Sequence, residues 1–304
     1  MTINVSVCIA TYRRIERLRE VLQDLSRQQR LPDQVVVVDN DAAGSARPVV
    51  EQFRTAATPF RLDYDIQPER NIALTRNRTV ELANGDWLAF IDDDERAPED
   101  WLSQLLAATE RYRADGVLAP VQPQVPPSAP SWIRRGRFYD FPRLPSGTTV
   151  PLHRMRFGNV VLRGSLLRSE PGPFDPSYGL TTGEDGDLLV RLARRGASIV
   201  WCDEAIVWEP IEAKRLSLRW LLVRALTGGQ EFARQTLNGR YGPITHLGHA
   251  RLFLRASAQL IAAGGLAATC WPAGRHVAAA WLVKASANVG KLTAFWGARH
   301  RSYA

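Results

Sequence analysis

Cysteine is scarce and badly placed for crosslinking. The 304 residues hold three, Cys8, Cys202 and Cys270, far apart and in no CxxC pair. Neither a disulfide framework nor a zinc cluster is expected, and a reducing compartment suits the chain. No GxGxxG turn follows the first apolar run, which argues against a dinucleotide-dependent oxidoreductase. Internal repeats and low-complexity tracts are absent from the sequence. Met1-Thr2-Ile3-Asn4-Val5 has no basic n-region and no long apolar h-region, so the start reads as a first strand rather than a secretory signal. Acidic residues almost vanish from the C-terminal third: residues 214–304 carry 13 Lys and Arg against Glu231 alone, a net of +12, while residues 1–213 net −4. The overall charge of +8 hides this split. Such asymmetry points to a polyanionic partner, either nucleic acid or an anionic membrane surface.

What is present begins with enough apolar material, 45% of residues, to bury a sizeable core. Val5 to Ala10 reads as a buried parallel strand. Ile15, Leu18, Val21, Leu22 and Leu25 recur at helical spacing. Gln34 to Asp39 is a β-branched run that stops on a carboxylate. A helix is expected over Ala46 to Arg54, a strand over Arg61 to Ile66 and a helix over Asn71 to Leu82. Trp87 to Ile91 is a fourth strand, again ending in carboxylates. This alternation predicts an α/β fold, a doubly wound, mostly parallel sheet flanked by helices. Such sheets bind ligands beyond the carboxyl ends of their strands, where Asp39 and Asp92 stand. Residues 120–151 hold eight prolines and the basic cluster Arg134, Arg135 and Arg137, so an irregular loop is expected there, either a lid or a plain surface excursion.

Three segments carry chemistry. Asp92-Asp93-Asp94-Glu95 places four carboxylates together after a buried strand. They repel one another unless a cation neutralises them, and hard oxygen ligands suit Mg²⁺ or Mn²⁺, which in turn bind phosphate. The competing reading is a solvated acidic turn. Thr182-Gly183-Glu184-Asp185-Gly186-Asp187 opens a helical pattern. Its acids either complement the helix dipole or supply a carboxylate that takes a proton from an acceptor hydroxyl. In Glu69 to Asn77, Arg76 could pair with a diphosphate or stack on a base, and Asn71 and Asn77 could hydrogen-bond a nucleotide. An isolated arginine on a helix is otherwise simply exposed.

These segments occur in a fixed order. Val5-Ser6-Val7-Cys8-Ile9-Ala10-Thr11-Tyr12-Arg13-Arg14 comes first, then Asp39-Asn40-Asp41, Asn71 to Asn77, the acidic strand end and Gly183-Glu184-Asp185. Together they resemble family 2 glycosyltransferases of the GT-A fold, over about residues 3–213. Within that family the chain is similar to bacterial exopolysaccharide enzymes of the succinoglycan glucosyltransferase type. The resemblance implies an inverting transfer of a hexose from a UDP-sugar to a glycan hydroxyl. It assigns Asp185 as general base and Glu184 as a sugar contact. The nucleotide-sugar falls to Thr11, Tyr12, Arg13, Asp39, Asn71, Arg76, Asp92 and Asp93, and the Mn or Mg cation to Asp94. Many relatives carry a metal-ligating histidine after the strand that corresponds to Ala205-Ile206-Val207-Trp208. Here Glu209 stands, a carboxylate able to serve a hard cation as a third ligand or a simple strand-end residue. His246 and His249 share a helix spacing but have no third ligand nearby in sequence.

The expected division is a catalytic domain over 1–213 and a helical, basic, membrane-associated region over 214–304. That region holds four of the nine tryptophans, Trp220, Trp271, Trp281 and Trp296, and a charge-free stretch from Ala256 to Gly274. Glycine, proline and alanine make this stretch a weak spanning helix, and the basic, tryptophan-bearing segments around it favour lying on an anionic surface. The expected location is the cytoplasmic face of the inner membrane, with an acceptor that is lipid-linked, of the undecaprenyl-diphosphate kind. A helical cap with a basic solvent face is the plainer reading. Two other functions compete: a nucleic-acid-binding protein using the basic region, and a catalytically silent nucleotide-sugar-binding protein. The first lacks a recognisable binding module with interleaved aromatics. The second would be expected to have lost Asp185 or the acidic strand end, and both are intact.

Overall fold

A computed structural model describes residues 3–56, 58–179 and 183–297. The chain forms two compact units: residues 1–122 with 141–210, and residues 123–140 with 211–304.

The first unit alternates β1 (Val5–Thr11), α1 (Ile15–Ser26), β2 (Gln34–Asp39), α2 (Arg47–Thr55), β3 (Arg61–Ile66), α3 (Ile72–Leu82), β4 (Trp87–Ile91) and α4 (Trp101–Arg111). The seven from β1 to β4 match the hydrophobic periodicities within about two residues, and α4 is an addition to them. β1, β2 and β4 are buried along nearly their whole length, as strands covered by helices on both faces must be. Two short strands follow, β5 (Gly116–Leu118) and β6 (Val121–Gln124); after α5 (Ser131–Gly136) come β7 (Asn159–Arg163), α6 (Gly164–Arg168), α7 (Glu184–Arg194), β8 (Ile199–Trp201) and β9 (Val207–Pro210). The main sheet has seven strands in the order β3-β2-β1-β4-β7-β5-β8, and β6 pairs with β9 in a second sheet. β7 runs antiparallel between β4 and β5, so the sheet is mixed, with its remaining pairs parallel. The chain builds outward from β1 to β3 and then returns to place β4 on the other side of β1. That reversal opens a crevice at the carboxyl ends of β1 and β4.

The proline-rich stretch differs from expectation. Two pieces of regular structure lie within it, β6 and α5. Pro130 directly precedes α5, where a residue with fixed φ and no N–H costs the helix nothing.

The second unit is mainly helical. Ala129, Ile133, Tyr139, Ile211 and Leu221 form its buried cluster, and Tyr139 donates its hydroxyl to the Arg215 carbonyl at 2.7 Å. Its long helices are α8 (Leu218–Leu237), α9 (His246–Thr269) and α10 (Arg275–Thr293). The charge-free stretch is not one helix: α9 ends at Thr269, a 3-10 turn spans Trp271–Ala273, and α10 starts after Gly274 at φ 121. α8 and α10 pack backbone to backbone. A Cβ on Gly229 would lie 2.0 Å from the Ala287 carbonyl oxygen, and one on Gly290 2.1 Å from that of Leu226.

Neighbouring glycines make this contact testable. In α8, a Cβ on Gly228 would meet nothing within 4 Å. Gly228→Ala should stabilise by up to about 1 kcal/mol through helix propensity. Gly229→Ala gains the same propensity but must push a backbone carbonyl aside, and overpacking of about 1–3 kcal/mol outweighs it. Urea denaturation should therefore move the two variants in opposite directions.

Candidate active site

The crevice is built from strand ends. Thr11 closes β1, and its hydroxyl donates to Asp93 Oδ2 at 2.8 Å across the β1–β4 gap. Arg14, at the start of α1, reaches Asp93 at 2.7 Å and Asp94 at 3.0 Å. Downstream, Arg96 forks onto the buried Asp24 of α1 (2.6 and 2.8 Å) and pairs with Trp208 through both main-chain hydrogen bonds. The acidic run is thus clamped at both ends. The Trp208 pairing also brings Glu209 beside it.

Arg76 is the hub. It sits on α3 but is 9% exposed, not the solvent-facing arginine that an isolated position suggests. Its guanidinium donates to Glu184 Oε1 at 2.6 Å and to Asp92 Oδ1 at 3.2 Å, joining the start of α7 to the end of β4. Phe157 and Phe174 lie against it at 5.2 and 5.9 Å, and with Phe90 they form an edge-to-face cluster. Gly183, at φ 113, turns the chain into α7. Two residues later the half-buried Asp185 accepts the Phe157 main-chain N–H at 2.8 Å. Thr182, the first residue of that motif, lies outside the described residues.

Three of the expected nucleotide contacts hydrogen-bond within the chain. Asp39 is fully buried; its oxygens accept from the N–H groups of Asp41 (2.9 Å) and Ala46 (2.7 Å), the Ser45 hydroxyl and the Tyr64 hydroxyl. Asn71 caps α3 through Ala73 and Leu74, and its amide donates to the Pro176 carbonyl. Asn77 holds both main-chain groups of Phe174 at 2.8 Å. These three order loops around the crevice. At the rim, Tyr12 lies between the guanidiniums of Arg13 (5.2 Å) and Arg70 (4.9 Å), and Arg13 forks onto Asp41 at 2.9 and 3.2 Å.

Sequence reasoning took Glu95 only as one carboxylate of the acidic run and assigned no individual role to Arg14, Arg70 or the Phe157 amide. The two arginines were visible only as charges. The last is a main-chain group, which no residue pattern reveals.

Electrostatics sets the character of the site. Asp92, Asp93, Asp94, Glu95, Glu184, Asp185 and Glu209 interact as one acidic group, and Arg14 and Arg76 offset part of it. Burial pushes the Glu184 carboxyl up to about 7 against the pull of Arg76, and that of Asp93 to about 6 against the pull of Arg14. Glu95 is raised well above the ordinary range by burial and then by Asp92, Asp94 and Glu209. Burial and neighbouring acids both disfavour the charged carboxylates, and a divalent cation beside them would favour that form. Among the described residues no three His, Cys, Asp or Glu side chains converge to hold an ion alone. A hard cation that keeps waters and binds substrate phosphates needs only one or two carboxylates, so this donor set fits it.

The model of glycosyl transferase family 2 matches residues 6–166, just over half of the chain. The chain belongs to that family. This glycosyltransferase is similar to the succinoglycan biosynthesis protein ExoM of Rhizobium meliloti (strain 1021), with 35% identity over 244 residues, 79% of this chain and 78% of the relative. Its fold is that of the mannosyltransferase PcManGT from Pyrobaculum calidifontis, solved with GDP-Man and Mn2+. The TM-score is 0.68 at 17% identity, and the match covers 98% of this chain and 88% of the other. S. aureus TarS 1-349, solved in complex with UDP, matches at a TM-score of 0.55 and 16% identity over 98% of this chain and 93% of the other. The GT-A fold expected of the glycosyltransferase is therefore the one it has. Neither competing function gains an observation.

The raised Glu184 carboxyl has a thermodynamic consequence. Between its ordinary value of 4.5 and its folded value of about 7, the folded chain holds a proton that the unfolded chain has released. Its contribution to stability is full below 4.5 and is lost as pH rises to about 7. Glu184→Gln, which mimics the protonated form, should flatten that loss. Urea denaturation without metal at about pH 5 and about pH 7.5 measures it. An unchanged slope would place the proton elsewhere.

Proposed function

We propose that this glycosyltransferase moves a hexose from a UDP-sugar to a glycan hydroxyl with inversion at the anomeric carbon. The observation that carries the reading is the Arg76 bridge, which sets Glu184 and Asp185 beside the acidic end of β4. In this reading the Asp185 carboxylate takes the proton of the acceptor hydroxyl. The hydroxyl oxygen forms the new bond to the anomeric carbon, and the bond from that carbon to the diphosphate oxygen breaks. The nucleoside diphosphate leaves with the electron pair. The Phe157 amide fixes the direction of the base, and Arg76 holds Glu184 toward the donor or acceptor sugar. Thr11, Tyr12 and Arg13 line the nucleotide side, with Asp39 and Asn71 ordering the loops behind them. Asp92 and Asp93 complete the donor site.

Asp94 and Glu209 are the proposed holders of Mn²⁺ or Mg²⁺. Bound there, the cation stabilises charge on the departing diphosphate. PcManGT with GDP-Man and Mn2+ and TarS with UDP show this fold serving nucleotide and nucleotide-sugar ligands, which supports a donor of that class. The ExoM relationship supports a polysaccharide setting; the lipid-linked acceptor is part of the proposal alone.

Residues 1–213 are proposed as the catalytic domain and 214–304 as a region that lies on the cytoplasmic face of the inner membrane. α9 is long and apolar enough to cross a bilayer by length and composition, with mean hydropathy 1.3 and 17% of its apolar window buried. Leu247, Leu254 and Ile261 are 79%, 67% and 77% exposed and recur every seven residues along it. Arg251 and Arg255 stand among them, a combination that favours an interfacial helix over a spanning one.

Turnover, chelation and vesicle binding test the reading. Asp185→Asn should lower turnover by about 10²–10⁴-fold while calorimetric UDP binding with Mn²⁺ stays within about twofold. Near-normal turnover would remove Asp185 as the base, and transfer that survives chelation would remove the metal. For the membrane, the full chain should float with vesicles containing about 30% anionic lipid and not with neutral ones. Leu254→Asp with Ile261→Asp should weaken that binding by about tenfold or more. Equal recovery with both vesicle types, or none with either, overturns the surface assignment.

A further inference from the structure

Arg14 places a fixed positive charge against the proposed metal ligand. It stands at the N-cap of α1, directly after Tyr12 and Arg13 of the proposed nucleotide side. One nitrogen of its guanidinium, Nη1, lies 2.7 Å from Asp93 Oδ1 and 3.0 Å from Asp94 Oδ2. That nitrogen carries two hydrogens, enough to serve both carboxylates. The two acids are only 6% and 9% exposed, so a cation shared between them supplies counter-charge that water cannot. A divalent cation would do the same for Asp94. It would bind a carboxylate oxygen at about 2 Å, and a guanidinium held at hydrogen-bond distance from that carboxylate would repel it.

The two halves of the Arg14 contact differ. Asp93 is engaged on both oxygens, Oδ1 by Arg14 and Oδ2 by the Thr11 hydroxyl at 2.8 Å. The Asp93 link can therefore persist while the Asp94 link is given up. Arg14 also differs from Arg76. The Arg76 side chain is 11% exposed, lies against Phe157 and Phe174, and fixes α7 to β4 through Glu184 and Asp92. The Arg14 side chain is 34% exposed, so it can exchange one anion for another without unpacking a core. A diphosphate is such an anion, because its oxygens accept from a guanidinium edge as those of a carboxylate do.

We propose that Arg14 is a positioning residue that holds the cation's place on Asp94 until a nucleoside diphosphate arrives, and that it thereby couples the binding of metal and donor. Without nucleotide, Asp94 pairs with Arg14 and takes up a divalent cation weakly. With the diphosphate present, Arg14 keeps Asp93 and turns its remaining N–H groups to the phosphate oxygens, which frees Asp94 for the cation. The inference rests on Asp94 as the metal holder, as proposed above.

The test reads Mn²⁺ binding to the full chain by electron paramagnetic resonance of the free ion, which needs no turnover. Without nucleotide, Arg14→Gln should bind Mn²⁺ at least about tenfold more tightly than the wild type, within the usual range of coupling between two ligands. Arg14→Lys keeps the charge and should bind Mn²⁺ as weakly as the wild type does. UDP should tighten Mn²⁺ binding less in Arg14→Gln than in the wild type. A purely structural role has the opposite sign: the Gln variant would loosen the acidic run and weaken Mn²⁺. A second measurement needs no variant. Phenylglyoxal labelling of the wild type, mapped by mass spectrometry, should modify Arg14 faster with saturating Mn²⁺ and slow again when UDP is added. Equal or weaker Mn²⁺ binding by Arg14→Gln, or Arg14 labelling that Mn²⁺ leaves unchanged, overturns the proposal. Asp94→Asn separates the two readings. If it binds Mn²⁺ with UDP as the wild type does, the metal assignment fails and the role of Arg14 fails with it. If it loses Mn²⁺ while Arg14→Gln gains none, the metal assignment stands and the role of Arg14 alone is rejected.

Discussion

Removing a carboxylate from water without a partner costs several kcal/mol, and this chain does it repeatedly at one edge of one sheet. The arrangement holds because a buried guanidinium stands among the acids. Arg76 reaches Glu184 and Asp92 from a helix that belongs to neither, so three separate stretches of chain meet on one cation. Its aromatic surroundings exclude water, which strengthens each of its contacts. The placement of α7 against β4, and of Asp185 with it, follows from that junction.

The compensation is incomplete, and the incompleteness has a use. Glu95 and Glu184 are raised first by burial and then by neighbouring acids that the fixed cations only partly offset. A site so charged favours a divalent cation. Asp39 and Asn71 contribute differently. They are buried and hydrogen-bonded within the chain, so they shape the loops around the crevice.

Much of the first unit was legible before folding. Gln34 to Asp39 reads as a strand because four successive valines end on an acid, and the structure begins and ends β2 at those residues. Asn71 reads as the start of a helix, and it is the cap of α3. The rest was hidden for definable reasons. β5 and β8 are three residues each, too short to carry a period. β7 is antiparallel, a fact of topology rather than composition. α5 lies in a proline-rich stretch because proline can precede a helix that it cannot enter. Arg14 and Arg76 find partners 79 and 108 residues away, and nothing in their own neighbourhoods marks them as buried or bridging.

The donor that orients Asp185 is a main-chain amide. A main-chain N–H survives every replacement of Phe157 except proline, because the other side chains leave it in place. Geometry at the proposed base can therefore persist while the identity of residue 157 drifts. A column of aligned sequences at that position would record what the phenylalanine cluster tolerates, and it would be silent about the hydrogen bond. Among distant members of the family, the orientation of the base could be inherited through the path of the backbone alone.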